Sequence, residues 1–219
     1  MSATNLADTI NALSIGMVVV GVALVWTRWP RHAVALVATQ SLLLGVVGLV
    51  VAGHTHRAHL FVGAGLVLGV KALALPALIA ILIARARATE EMPSAVPRAL
   101  GLAAAVLLSL VTIETFSGDP FVTPLNATRA LPAAVALMLL GLQTMVTRHH
   151  VVAQITGFLA IENGMALAAL TATYGMPLII EFGVLLDLLL AVIVAFVYSR
   201  RIHEMHGDLL TKVLRELRG

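Results

Sequence analysis

The chain of 219 residues contains no cysteine, and only 11% of its residues are charged and 5% aromatic. Ordinary soluble domains carry roughly 25% charged residues, so this composition excludes a water-soluble globule. Iron–sulfur clusters are normally held by cysteine thiolates, so any electron-transfer centre would have to belong to another subunit. The first ten residues lack the basic region of a cleavable signal peptide, which predicts that the first apolar stretch is a retained span.

Apolar residues dominate the composition of the chain. They make up 60% of the chain, and the mean hydropathy is +1.00. Apolar runs of about twenty residues match the hydrocarbon thickness of a bilayer, which predicts an all-α, polytopic membrane protein with about seven transmembrane helices. The predicted spans are 9–28, 33–53, 60–84, 98–116, 130–147, 151–173 and 177–199.

The basic residues are distributed unequally between the two sides that this topology defines. One set of loops, together with the tail, carries eleven lysines and arginines, whereas the other side carries only Arg57 and Arg129. The positive-inside rule therefore predicts an outside N-terminus and a cytoplasmic C-terminus. No basic and aromatic patch of the kind that binds nucleic acid is visible, so we expect no nucleic-acid partner.

The chain is interpreted as two three-helix units joined by an additional helix. An offset of 114 residues pairs Gln40 with Gln154 and Gly69 with Gly183, which fits a 3+1+3 duplication, although such matches also arise by chance in so apolar a chain. The tail has the spacing of an amphipathic helix that lies on the lipid surface or docks onto a partner subunit. The predicted units are an N-terminal three-helix unit (1–96), a linking helix with an outer loop (97–129), a C-terminal three-helix unit (130–200) and the cytoplasmic tail (201–219).

Four charged residues fall inside predicted spans and away from the span ends: Lys71, Glu162, Glu181 and Asp187. An ionisable side chain at a helix centre costs about 2.5–3.5 kcal/mol, so these residues are candidates for proton transfer. A structural alternative is that a carboxylate and the lysine pair only to hold helices together. Glu181 also lies close enough to the outer end of its span to reach the headgroup region.

Span 151–173 contains small residues at helical spacing, among them Gly157 and Gly164, which predicts close helix packing. Asn163 is interpreted as an interhelical hydrogen-bonding residue, with a role as a transport ligand as the alternative. His54, His56 and His59 form an outer cluster that we interpret as solvent-exposed; zinc binding and proton relay are its alternatives. We therefore expect no catalytic residue, metal site or cofactor in this chain.

Three motifs lie in residues 148–201: R-H-H-x-x-x-Q-I-T-G-F-L-A-I-E-N-G-M from Arg148, G-M-P-L-I-I-E-F-G-V-L-L-D ending at Asp187, and the basic end S-R-R-I. With these motifs the stretch closely resembles the hydrogenase-4 component E family. The last three spans also resemble the three-helix subunit K of NADH-quinone oxidoreductase. Arg148 and Asn163 keep the spacing of that subunit, but Glu162 comes one turn later than its first membrane glutamate, and Asp187 replaces its second.

The resemblance implies a noncatalytic membrane-arm subunit of a group 4 membrane-bound nickel–iron hydrogenase or a related complex I-like assembly. Such a subunit would lie in a bacterial or archaeal cytoplasmic membrane, beside antiporter-like subunits and peripheral hydrogenase subunits, and would contribute carboxylates to a proton path. Two alternatives stay open. One is a component of a multisubunit cation/proton antiporter, and the other is a structural membrane scaffold.

Overall fold

Six long helices form the described part of the protein. A computed structural model describes residues 3–55, 58–85, 91–117 and 129–173, together with Gly183 and Ile193, and these ranges contain no β-strand. Each helix is long and apolar enough to cross a membrane. They are α1 (Ala3–Trp26), α2 (Pro30–Thr55), α3 (Ala58–Arg85), α4 (Arg98–Ser117), α5 (Ala130–Thr147) and α6 (Val151–Thr173).

The six helices correspond to the first six predicted spans, so the predicted all-α membrane fold is confirmed. The seventh predicted span, 177–199, and the amphipathic tail lie outside the described residues, apart from Gly183 and Ile193, which are helical. The division into two three-helix units and the N-out, C-in orientation stay predictions.

Large apolar side chains cover the outside of the bundle. Val19, Leu73 and Val146 are 63%, 66% and 66% exposed in the isolated chain. Monomeric soluble proteins rarely expose apolar patches of this extent, whereas such side chains match the hydrocarbon core of a bilayer. The outer surface is therefore the lipid-facing or subunit-facing surface of a membrane protein.

Three of the loops meet at one end of the bundle, which we call the basic end. The N–H of Met92, between α3 and α4, donates to the carbonyl of Arg28, between α1 and α2, at 2.8 Å. The N–H of Ala95 donates to the carbonyl of Thr147 at the end of α5, also at 2.8 Å. The basic end thus joins three of the loops that the sequence assigns to the arginine-rich side.

Helices α5 and α6 form the most closely packed pair. A Cβ atom on Gly141 would lie 2.5 Å from the carbonyl oxygen of Gly157, and a Cβ on Gly164 would lie 2.7 Å from the carbonyl oxygen of Ala134. In both cases a Cβ atom would collide with a backbone carbonyl oxygen of the facing helix. Only glycine therefore allows the two helices to approach this closely. The hairpin fixes the rotation of α6 and therefore the direction in which Glu162 points.

A buried ion pair as the candidate functional site

The centre of the bundle contains an ion pair between Lys71 on α3 and Glu162 on α6. The Nζ atom of Lys71 lies 3.0 Å from Oε1 of Glu162, and the two side chains are only 5% and 4% exposed. Within the described residues, neither carboxylate oxygen of Glu162 has an aligned hydrogen-bond partner. The carboxylate therefore interacts with the lysine by charge and keeps acceptor capacity that no described group uses.

Both residues lie near the middle of the apolar layer. Glu162 follows Val151, the first residue of α6, by about 16 Å of helix at the standard rise per residue. This depth is about half of the roughly 30 Å hydrocarbon core of a bilayer. The pair is thus placed where an isolated charge is most costly and where pairing matters most.

A π-helical segment positions Lys71. Residues Val67–Ala74 form this segment within α3, and the N–H of Leu75 donates to the carbonyl of Val70, five residues earlier. Pro76 provides a local reason, because proline has no N–H to donate and its ring crowds the carbonyl four residues before it. The wider turn accommodates the proline, and it also changes the rotation of α3 at the point where Lys71 faces α6.

A second polar contact joins α2 to α6 beside the ion pair. The amide of Asn163 donates to the hydroxyl of Ser41 at 3.2 Å, and that hydroxyl lies 3.4 Å from the Asn163 Oδ1 atom. Neighbouring Gln40 is fully buried and donates to the carbonyl of Met17 on α1 at 3.3 Å. Polar side chains therefore connect α1, α2, α3 and α6 in the interior of the bundle.

Gly183, a described residue of the predicted seventh span, lies next to the Glu162 carboxylate. A Cβ atom on Gly183 would lie 3.4 Å from Oε1 of Glu162, which is within van der Waals contact. The candidate residues Glu181 and Asp187 belong to the same span but lie outside the described residues. Their roles stay predictions.

Arg148 connects the loops of the basic end. Its guanidinium donates to the carbonyls of Met92 at 3.1 Å and Val25 at 2.8 Å, and the residue is only 3% exposed. Burial, and secondarily the positive charge of Arg98, lower the pKa of this guanidinium below its ordinary value. An arginine still remains a cation at neutral pH, so Arg148 is a buried charge stabilised by backbone carbonyls.

The histidines do not gather into a site in the described part of the chain. His54 at the end of α2 and His59 at the start of α3 are exposed, and His56 lies outside the described residues. No group of three potential metal ligands occurs among the residues that the structure describes. The His150 ring accepts a hydrogen bond from the N–H of Val152 at 3.2 Å at the start of α6.

Sequence reasoning missed three of these polar residues. It did not single out Gln40 or Ser41 as site residues. It interpreted Arg148 as a loop charge that reports orientation and that keeps the spacing of subunit K, but it did not predict that Arg148 is buried. A signal was present for the first two, because a Gln-Ser pair inside the apolar run VALVATQSLLLGVV is costly unless both side chains find partners. The burial of Arg148 has no comparable signal, since its acceptors are backbone carbonyls of distant loops.

Over its full length, the chain is 37% identical to the full length of the uncharacterized protein Rv0085 of Mycobacterium tuberculosis. The chain belongs to the same family as Rv0085. No family model matches the chain, and no solved structure matches it.

The chain is also homologous to hydrogenase-4 component E of Escherichia coli and of Shigella flexneri. The identity to each is 35% over 139 residues, which cover 60% of this chain and 64% of the component E proteins. The resemblance to hydrogenase-4 component E is thereby confirmed. The alignment leaves about a third of the length of those proteins without a counterpart in this chain.

Proposed function

We propose that this chain is a noncatalytic membrane-arm subunit of a group 4 membrane-bound nickel–iron hydrogenase or a related complex I-like assembly. Homology to hydrogenase-4 component E supports membership of such a complex. Glu162 accepts and releases protons inside the membrane. The positive charge of Lys71, which lies beside the carboxylate, biases the protonation of Glu162. Redox cofactors belong to the partner subunits, since the chain has no cysteine to hold an iron–sulfur cluster.

The arrangement of the Glu162 carboxylate is the observation that carries this proposal. Buried polar groups that serve only to maintain a fold are normally saturated with hydrogen bonds. Among the residues that the structure describes, Glu162 instead has one cationic neighbour, Lys71, and accepts no aligned hydrogen bond. A carboxylate with unused acceptor capacity in the middle of a membrane is suited to take up a proton.

The proton path continues through the seventh predicted span. Gly183 supports this route, because it brings a residue of that span next to the Glu162 carboxylate, where a Cβ atom would lie 3.4 Å from Oε1. Asp187 follows four residues later in the sequence and Glu181 precedes Gly183 by two. We propose Asp187 as the next protonatable station and Glu181 as an outward or neighbour-facing one.

Proton translocation by the reconstituted complex tests the proposal. The variant is Glu162→Gln, and the matched control is Glu91→Gln, which removes a half-exposed carboxylate paired with Arg28 at the basic end. Glu162→Gln is expected to keep the complex assembled and to reduce hydrogenase-coupled proton translocation at least tenfold, whereas Glu91→Gln should translocate protons like the wild type. Normal translocation by Glu162→Gln would contradict the proposal.

Two further outcomes identify the alternative functions. In a scaffold, Lys71→Gln combined with Glu162→Gln would destroy assembly, while any complex that survived would pump at the normal rate. In an antiporter component, an affinity tag on this chain would recover no hydrogenase subunit, and sodium-dependent transport would persist in membranes that lack hydrogenase. We expect the tag to recover hydrogenase and antiporter-like membrane subunits together.

A further inference from the structure

The loop between α1 and α2 concentrates both tryptophans of the chain next to basic side chains. The sequence from Trp26 to His32 reads W-T-R-W-P-R-H, and the chain contains no other tryptophan. Trp26 is 51% exposed and Trp29 is 42% exposed. Exposed tryptophans at the end of a span are typical of the lipid headgroup region, where the ring packs on apolar groups and the indole N–H meets water.

A surface cavity lies at this point. Its volume is about 250 Å³, and Trp29, Pro30, Arg31 and His32 line it. The volume falls below the range of about 300–1,000 Å³ that is typical of pockets for drug-sized ligands. The cavity is therefore large enough for a headgroup but not for a whole lipid or a cofactor.

The arginines around the loop differ in whether they form an ion pair with a described residue. Arg28 lies 3.4 Å from Glu91, and Arg98 contacts the same carboxylate at 3.6 Å. Arg31 is exposed and has no ion pair with any residue that the structure describes. Arg31 thus brings to the cavity a cation whose charge is not neutralised by the described protein, and His32 adds ring nitrogens that can donate hydrogen bonds.

We propose that this cavity binds the phosphate headgroup of an anionic phospholipid. Arg31 would donate its planar pair of N–H groups to the phosphate oxygens, which is the geometry that guanidinium groups favour for phosphate. Trp29 would pack against the glycerol region and the start of the acyl chains. Basic pockets at the membrane ends of transmembrane helices are suited to anionic lipid headgroups. This cavity lies at such a position, between the end of α1 and the start of α2.

Tryptophan fluorescence of the full chain in lipid vesicles tests this site directly, because both tryptophans lie in the segment from Trp26 to His32, at or beside the cavity. The probes are brominated phosphatidylglycerol and brominated phosphatidylcholine, each at the same mole fraction in unbrominated phosphatidylcholine. Brominated phosphatidylglycerol is expected to quench the fluorescence more strongly than brominated phosphatidylcholine. Equal quenching by both lipids would overturn the proposal.

Substitutions separate a local site from a diffuse surface charge. Arg31→Gln should lower the preference for phosphatidylglycerol about fivefold, which corresponds to about 1 kcal/mol for one basic residue near an anionic surface. Arg85→Gln is the matched control, because Arg85 is an exposed arginine at the last position of α3 and does not line the cavity. An equal loss in Arg85→Gln, or no loss in Arg31→Gln, would overturn the proposal.

Two additional measurements cover the remaining outcomes. Inorganic phosphate added to wild-type vesicles at constant ionic strength should leave the quenching unchanged; if it abolished the preference, the site would bind free phosphate rather than a lipid. A salt titration of the wild-type protein tests the charge contact without any substitution. The preference for phosphatidylglycerol should weaken as salt increases, and a preference independent of salt would contradict a headgroup contact made by charge.

Discussion

The Nζ atom of Lys71 and the Oε1 atom of Glu162 lie 3.0 Å apart, although 91 positions separate the two residues in the sequence. Helix α3 carries the lysine and α6 carries the glutamate, so one buried contact joins the two halves of the chain. The N-terminal helices therefore supply the cation that faces the carboxylate on α6.

A double-mutant cycle measures this contact. Lys71→Met should lower the free energy of unfolding by about 3–5 kcal/mol, because the buried charge of Glu162 then lacks the ammonium group that lies beside it. The double variant Lys71→Met, Glu162→Gln should lose less than the sum of the two single losses, with a coupling of about 0.5–3 kcal/mol. Thermal unfolding in detergent micelles, followed by circular dichroism, provides the measurement.

The half-exposed pair of Arg28 and Glu91 is the control for that cycle. Exposed ion pairs contribute about 0–1 kcal/mol, so the coupling between Arg28→Gln and Glu91→Gln should be close to zero. If the losses from Lys71→Met and Glu162→Gln were additive, their coupling would be as close to zero as that of the control pair. The buried contact would then not stabilise the bundle.

Hydropathy is sufficient to predict the six described helices, because each apolar run must be as long as the bilayer core is thick. The predicted span 151–173 and the observed helix Val151–Thr173 have the same bounds. The basic residues Arg148 and Arg98 mark helix ends for the same reason, since their charges are costly inside the hydrocarbon layer.

The partner of Lys71 could not be predicted in this way. Which faces of two membrane helices meet depends on the rotation of each helix about its axis, and hydropathy is nearly uniform around these helices. That rotation is set by backbone contacts such as Gly141 against Gly157, and by the π-helical segment that precedes Pro76. Both features emerge only when the helices are packed together.

Gly164→Ala should destabilise the α5–α6 hairpin. The added methyl group would lie 2.7 Å from the carbonyl oxygen of Ala134, so the helices must separate, at a cost of about 1–3 kcal/mol. The matched control is Gly101→Ala on α4, where the added methyl group meets no atom within 4 Å. The midpoint of thermal unfolding should fall for Gly164→Ala and stay unchanged or rise for Gly101→Ala; equal midpoints would contradict the close approach.

Ser41→Ala should destabilise the bundle by about 1–3 kcal/mol, because it leaves the buried amide of Asn163 without its hydroxyl partner. Ser14→Ala is the control. Ser14 is equally buried, but its hydroxyl donates to the carbonyl of Ile10 in its own helix at 2.7 Å, so its loss should cost less. The two free energies of unfolding are compared in the same detergent, and a larger loss at Ser14 would contradict the role of the Ser41 contact.

Arg148→Lys should loosen the basic end while keeping its charge. An ammonium group lacks the rigid fork that donates to the carbonyls of Val25 and Met92 together. Amide hydrogen exchange of residues 91–95 should become faster in Arg148→Lys than in the wild type. Arg31→Lys is the control, since Arg31 is exposed. Equally slow exchange in all three proteins would show that the Arg148 guanidinium is not needed to hold the basic end together.

Glu162 is expected to exchange a proton while it lies beside Lys71. The most direct measurement is the infrared absorption of protonated carboxyl groups in the full chain in lipid nanodiscs, recorded as an acid-minus-base difference for wild type, Glu162→Gln and Glu91→Gln. The wild type should show a carboxyl band that is lost in Glu162→Gln and retained in Glu91→Gln. Identical difference spectra for the wild type and Glu162→Gln would contradict this expectation.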